Sequence, residues 1–276
     1  MSHPVFESGC TAVITGAASG IGLATSKKLV ALGMNVCMTD ITEVALEAAA
    51  HEVRAAASKD GHVMDATADV SDLQAMTELD AAVRDRFGDV SFLMNNAVTR
   101  LDANTRDNPD AWNRTVAVNI MGVVNGVLTF APAMTAKSVP AVIVNVGSKQ
   151  GITNPPGSKP AYNMAKAANI NYTESLQHEL RNIDGCAVSA HLLIPGWTTT
   201  GSREHQQGAW LPDQVVDFML DAIVGNRFYI LCPDDEVTPE EDRRRVLWAA
   251  GDIADDRPPL SRWHPQFGDV FKAFKV

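Results

Sequence analysis

A phenol and an ammonium stand four residues apart at Tyr162 and Lys166, a separation that places both on one face of a helix. A free phenol titrates at about 10 and moves protons poorly at neutral pH, but a lysine cation beside it stabilises the phenolate. On its own the spacing equally describes a half-buried tyrosine next to a lysine stem. A second pattern gives it context. Residues 15–22 read TGAASGIG, between a β-branched run and a helical one. Glycines at such a turn let the backbone bend sharply and let a pyrophosphate approach a helix N-terminus, where unpaired N–H groups and the macrodipole favour anions. No Lys-Ser/Thr pair follows, which disfavours a nucleoside triphosphate and favours a dinucleotide. Asp40 ends the next β-branched run, eighteen residues beyond Gly22. A carboxylate there accepts both hydroxyls of an adenosine ribose and repels a 2′-phosphate, so NAD is expected over NADP; the alternative is a turn aspartate ahead of a helix. Asp69 and Val70 close the third run and are expected beside the adenine. A bound oxidised nicotinamide would add its positive charge to that of Lys166 at the phenol.

Such groups need a rigid scaffold. Short apolar runs at 11–15, 35–40, 62–69, 90–95, 141–146, 187–194 and 228–232 alternate with helical stretches at 20–32, 43–58, 72–87, 110–136, 161–182 and 212–224. Strand and crossover helix in alternation mean parallel pairing, and runs as apolar as AVIVNV suit a sheet covered on both faces. The expected fold is α/β, a Rossmann-type doubly wound parallel sheet of seven strands, with one catalytic domain over 5–235 and a C-terminal extension over 236–276. With 276 residues, 46% of them apolar, the chain can bury one sizeable core. Its net charge of −10 argues against nucleic acid and anionic membranes as partners. Residues 1–10 lack the pattern of a secretory signal, so a cytoplasmic protein is expected. The four cysteines are scattered without a CxxC, and neither a disulfide framework nor a metal site is expected.

Taken together, TGAASGIG, Asp40, Asn95-Asn96-Ala97, Asn119, Ser148, Tyr162-x-x-x-Lys166 and Pro195-Gly196 stand in the order and spacing of the short-chain dehydrogenase/reductase family, which the chain resembles from residue 11 to residue 232. The resemblance implies Tyr162 as acid/base and Lys166 as holder of the nicotinamide ribose. It makes Ser148 the partner of the substrate oxygen and has Asn119 position a water that relays protons to Lys166. The cofactor would lie against Gly16, Ser19, Gly20, Ile21 and Gly22 of the turn, and Asn96 and Ala97 would pass its adenosine ribose. Pro195, Gly196, Thr198 and Thr200 would wrap its carboxamide. Two positions depart from the family pattern: Val98 replaces a glycine, and threonines 198–200 replace an apolar residue after Pro195-Gly196. Both bear on pocket shape.

Substrate contacts are expected from 98–100, 149–156 and the loop 197–211, outside the strand ends. In that loop Trp197 and Trp210 either cover an apolar substrate or anchor the loop. Arg100, Lys149 or Arg203 either recognise a carboxylate or are solvated. Arg243, Arg244 and Arg245 read as a solvated helix face, because acidic residues precede them at pairing distance. Trp263, Phe267, Phe271 and Phe274 require burial, in the crevice or against another subunit, and a two-fold homo-oligomer, tetramer or dimer, is expected. The reading is an oxidoreductase moving a hydride between NAD and a secondary alcohol or ketone, without a metal. The alternatives are an epimerase or dehydratase that retains NAD, and a non-catalytic dinucleotide sensor.

Overall fold

Strands without a polar face can only lie in a sheet covered on both sides. Strands β1 (Thr11–Thr15) and β5 (Ala141–Val146) are buried at every position. They belong to one seven-stranded parallel sheet with β2 (Asn35–Asp40), β3 (His62–Thr67), β4 (Val90–Asn95), β6 (Val188–Ile194) and β7 (Tyr229–Leu231), in the order β3-β2-β1-β4-β5-β6-β7. The computed structural model describes residues 3–201 and 204–276. Strand order reverses between β1 and β4, which opens a crevice at the carboxyl ends of both.

Helices α1 (Gly20–Ala31), α2 (Glu43–Ala55), α3 (Leu73–Phe87), α4 (Pro109–Val116), α5 (Gly122–Thr135), α6 (Pro160–Leu180) and α7 (Pro212–Val224) cover the two faces. Local chemistry sets their ends. Asp72 caps α3 by accepting from the Gln74 and Ala75 N–H groups, and Gly88 stops it. The third strand is shorter than expected, ending at Thr67, because Ala68 to Val70 turn away toward Asp72. The long helix expected at 110–136 is interrupted: Ala117–Met121 forms a π-turn between α4 and α5. An inserted residue of this kind commonly marks a functional site, and here it carries Asn119.

Two further helices, α8 (Pro239–Ala254) and α9 (Gly268–Ala273), form the extension. Most of the aromatic weight expected to need an outside partner is covered within it. The Trp248 ring packs edge-on against Phe271 (5.3 Å) and Phe274 (5.2 Å), and the Arg257 guanidinium lies 4.0 Å from its centroid. Trp248 Nε1 donates to Ser261 Oγ at 2.8 Å, which fixes the turn Ser261–Trp263 on α8.

A buried polar chain ties the sheet to the helix that carries Tyr162. Asn95 Nδ2 donates to Asn145 Oδ1 (2.8 Å), Asn145 Nδ2 to Thr173 Oγ1 (3.1 Å), and Thr173 Oγ1 to the Asn169 carbonyl (2.6 Å). Replacing Asn145 leaves both neighbours short of a partner in a dry site. Asn145→Ala should therefore cost roughly 1–3 kcal/mol of stability in urea denaturation, with the m-value unchanged.

Candidate active site

The glycine turn is held against the end of β4 by Asn96. Its Nδ2 donates to the carbonyl oxygens of Thr15 (2.8 Å) and Gly16 (3.0 Å), while Thr15 Oγ1 accepts from the N–H groups of Asn96 and Ala97. The approach is so close that a Cβ on Gly16 would stand 2.7 Å from the Ala97 Cα, and Gly16 has φ of +64°. A side chain on Gly22 would collide with the Gly16 carbonyl oxygen. What results is bare backbone at the N-terminus of α1, a cradle that fits a pyrophosphate. Asp40 closes its far side, with Oδ2 accepting from the Ala18 N–H (3.2 Å) and Oδ1 from the Ile41 N–H (2.8 Å).

From this cradle a cleft of about 700 Å³ runs along the strand ends. Gly16, Ser19, Gly20, Ile21, Asp40, Asn96, Ser148, Tyr162, Lys166, Pro195, Gly196, Thr198 and Thr200 all line it. A hollow of about 200 Å³ shares Gly16 and Asp40 with it and takes in Asp69, Val70 and Ala97. Gly22 and Asn119 line neither and act from beneath. The Asp69 carboxylate is already engaged: it accepts from the Ser71 N–H (2.9 Å) and Oγ (2.7 Å) and pairs with Arg114 at 3.0 Å. Burial opposes its ionisation, but the bonds from Ser71 and Arg114 outweigh burial and hold the carboxyl below its ordinary value.

At the other end Lys166 is almost sealed from water. Its Nζ donates to the Val146 carbonyl at 2.6 Å and lies 5.7 Å from the Tyr162 ring centre. Burial, and then the charge of Arg100, push its pKa down to about 7. Arg100 covers the phenol. Its Nη2 donates to Tyr162 Oη at 2.9 Å, and its guanidinium carbon sits 4.5 Å from the ring centre. Nothing in the sequence marks this pair, since the two residues are 62 positions apart. Asn119 uses both amide atoms on Thr99, accepting from its N–H (2.7 Å) and donating to its carbonyl (2.9 Å), and so fixes the segment that presents Arg100. Ser148 Oγ accepts from the Gln150 N–H at 3.2 Å, which leaves its hydroxyl hydrogen free to donate.

Residues 10–209 match the family described as short chain dehydrogenase. The chain belongs to the short-chain dehydrogenase/reductase family. It is 34% identical over 194 residues to galactitol 2-dehydrogenase (L-tagatose-forming) of Cereibacter sphaeroides, covering 70% of this chain and 72% of the relative. A Burkholderia phymatum short-chain dehydrogenase/reductase solved with NAD superposes with a TM-score of 0.81 at 32% identity, covering 92% of this chain and 97% of that one. A metagenomic short-chain oxidoreductase solved with NADP superposes with a TM-score of 0.68 at 28% identity, covering 82% and 98%. The protein is thus an oxidoreductase of the NAD(P)-dependent dehydrogenase type.

The substrate end of this dehydrogenase differs from what the sequence suggested. Of the two loop tryptophans, Trp197 lines the cleft, whereas Trp210 packs edge-on against Phe218 at 5.9 Å and donates to Asp235. Trp263 of the extension takes the second place on the cleft wall. Arg203 lies outside the described residues. The arginine run is not a solvated face. Arg243 is exposed, but Arg244 stacks on Phe271 at 4.3 Å and Arg245 lines the cleft, because α8 docks on the catalytic turn and does not project from it. The docking is ionic: Lys149 Nζ bonds Asp234 (3.1 Å) and Asp242 (2.6 Å), and Asp234 also accepts from the Trp197 N–H (3.0 Å). Trp263 takes the crevice, one of the two places expected for it, while Asp234, Asp242 and Arg262 were not expected at the site. The distant ion pairing that brings them there leaves no local spacing pattern.

The buried lysine sets a pH dependence. Below about pH 7 both folded and unfolded chains hold its proton and the folded one bears the full desolvation cost. Between about 7 and its ordinary value of 10.5 the unfolded chain binds more protons, so this cost declines as pH rises. In the cofactor-free protein Lys166→Met should therefore melt above wild type at pH 7, by an amount on the order of a few kcal/mol, with the gap narrowing toward pH 10. Scanning calorimetry across that range measures it; a gap that widens with pH would contradict the assignment.

Proposed function

We propose that the enzyme is an NAD-dependent dehydrogenase of secondary alcohols and, in reverse, a reductase of the matching ketones. The observation that carries this reading is that Tyr162, Lys166 and Ser148 line the same cleft as the glycine cradle and Asp40. When bound, NAD supplies the acceptor for the hydride that leaves the carbinol carbon. Ser148 donates its free hydroxyl hydrogen to the substrate oxygen and orients it toward Tyr162. The Tyr162 phenolate takes the hydroxyl proton as the carbon–oxygen double bond forms, and the phenol returns it in reduction. Lys166 has N–H donors beyond the one given to Val146, and these suit a ribose hydroxyl. Arg100 donates to the same phenolic oxygen and holds it at the mouth of the cleft beside Ser148. The Asn119 side chain positions the Arg100 segment, and the water relay that the family resemblance implies for this residue belongs to the same proposal.

Asp40 supports the choice of NAD. Held by two backbone N–H groups, it cannot swing aside for a 2′-phosphate, and Arg114, the cation of the neighbouring hollow, is taken by Asp69. A homo-oligomer of two-fold symmetry, tetramer or dimer, belongs to the same proposal. It is supported by exposed Met121, Leu128 and Met164 on and beside α5 and α6, not by Phe271 and Phe274, which Trp248 covers. A reducing, cytoplasmic setting suits the free cysteines Cys10, Cys37, Cys186 and Cys232.

Tyr162→Phe should lower kcat by about 10²–10⁴-fold and leave NADH affinity nearly unchanged, as steady-state kinetics and calorimetry would show. Activity within a few-fold of wild type would mean that another group is the acid/base. Asp40→Ala should shift the NAD/NADP ratio of kcat/KM toward NADP by about tenfold or more. A wild-type enzyme that already prefers NADP would defeat the cofactor assignment.

A further inference from the structure

The chain carries a net charge of −10, yet the substrate end of its cleft is lined by Arg100, Lys149, Arg245 and Arg262 against the carboxylate of Asp234. Most of these cations are answered within the fold. Lys149 has Asp234 and Asp242, Arg245 shares Glu241 with Arg244, and Arg100 donates to Tyr162. Arg262 is different. Among the described residues no carboxylate lies within ion-pair distance of its guanidinium, and no acceptor takes up its N–H groups. Aromatic rings hold it instead, with its guanidinium carbon 4.8 Å from the Trp263 centroid and 5.0 Å from that of Phe271. A guanidinium held by ring contacts keeps its donors for a planar oxyanion.

Its position is fixed in advance. Ser261, fully buried, donates its N–H to Asp252 Oδ2 (3.0 Å) and accepts from Trp248, so the turn carrying Arg262 and Trp263 is fastened to α8. Arg245 stands on the same helix, one turn beyond the Asp242 that binds Lys149. Burial, then the like charges of Arg245 and Arg244, depress the Arg262 pKa, with Glu241 opposing. A half-buried cation beside other cations is costly unless an anion completes the site. The two tryptophans on the cleft wall, Trp197 and Trp263, are 40% and 37% exposed and offer apolar surface to whatever enters.

We propose that Arg262, with Arg245 beside it, is an anion subsite for the substrate, and that the alcohol or ketone carries a carboxylate on a flat apolar frame covered by Trp197 and Trp263. This rests on the reading of the cleft as an alcohol dehydrogenase site.

The test uses the full-length enzyme saturated with NAD and, as probes, 4-acetylbenzoate and its methyl ester, titrated by calorimetry. Wild type should bind the acid about tenfold or more tightly than the ester. Arg262→Gln should abolish that preference, Arg262→Lys should keep part of it, and Arg243→Gln, a charge change at an exposed site on α8, should keep all of it. Equal binding of acid and ester by wild type would overturn the proposal. So would an Arg262→Gln variant that weakens NAD binding while preserving the acid preference, since the arginine would then serve the cofactor. Turnover of the matching alcohols, 4-(1-hydroxyethyl)benzoate and its ester, separates the two readings. Oxidation of the ester at equal or better kcat/KM removes the subsite and leaves the dehydrogenase. Acid-selective binding that Arg262→Gln abolishes supports the subsite even if neither alcohol is oxidised, an outcome that would count against the dehydrogenase reading alone.

Discussion

Lys149 holds two carboxylates, Asp234 and Asp242, where little water reaches, and three segments of the active site hang on that contact. It stands next to Ser148 at the end of β5; Asp234 fixes the Trp197 N–H in the loop after β6; Asp242 anchors α8. A buried charge cluster of this kind adds little net stability, because desolvation consumes most of the Coulombic gain. Burial indeed outweighs the lysine at Asp242, whose pKa is raised. What the cluster contributes is position. Removing one partner strands the others in a dry site at a cost of about 3–5 kcal/mol, so the catalytic turn, the loop and the extension move together or not at all.

The same economy of charge governs the proton-transfer end. Lys166 is paired with a carbonyl oxygen and not with an acid, and its neighbour Arg100 is a second cation. A carboxylate in that place would neutralise both and would compete with the phenolate for their N–H groups. With neutral partners, the field at Tyr162 remains positive whichever of the two cations carries it. The π-turn at Ala117–Met121 belongs to this arrangement. By inserting a residue it lets Asn119 grip both backbone groups of Thr99, and the chain then delivers Arg100 over the ring.

The cofactor half was legible in the sequence because its parts are local. A glycine turn between a strand and a helix, an aspartate at the next strand end, and a tyrosine and lysine one helical turn apart are each set by a handful of neighbouring residues. The structure brings those residues to one cleft. Strand limits were readable for the same reason where whole runs are apolar, as in β1 and β5, and less so at β3, where Asp69 belongs to a turn held by Ser71 and Arg114. The substrate half was not legible. Lys149 and Asp242 are 93 positions apart, and no periodicity joins them. Arg245 satisfies a local pairing rule with Glu241, four residues earlier, and still ends on the cleft wall. For Trp210 and Trp263 the sequence left two places open each, for a like reason: burial of an indole depends on what packs over it, and α7 reaches the first while the extension carries the second to the crevice.

Net charge proves a poor guide to such a site. At physiological ionic strength the Debye length is about 8 Å, so the acidic residues spread over the exterior are largely screened from an incoming anion before it reaches the cleft. Inside, low-dielectric walls and few waters let each unscreened group count for more. A chain of net charge −10 therefore presents a cleft wall on which cations outnumber carboxylates, with Asp234 paired to Lys149 at the substrate end and Asp40 at the cofactor end. The two ends oppose each other in sign for separate reasons. In the proposed reading Asp40 tells a hydroxyl from a phosphate, and Arg262 draws an anion out of water. Each charge is fixed by contacts on its own side of the cleft, backbone N–H groups for the aspartate and aromatic rings for the arginine. Among the described residues neither charge has an ion-pair partner that a ligand would first have to displace.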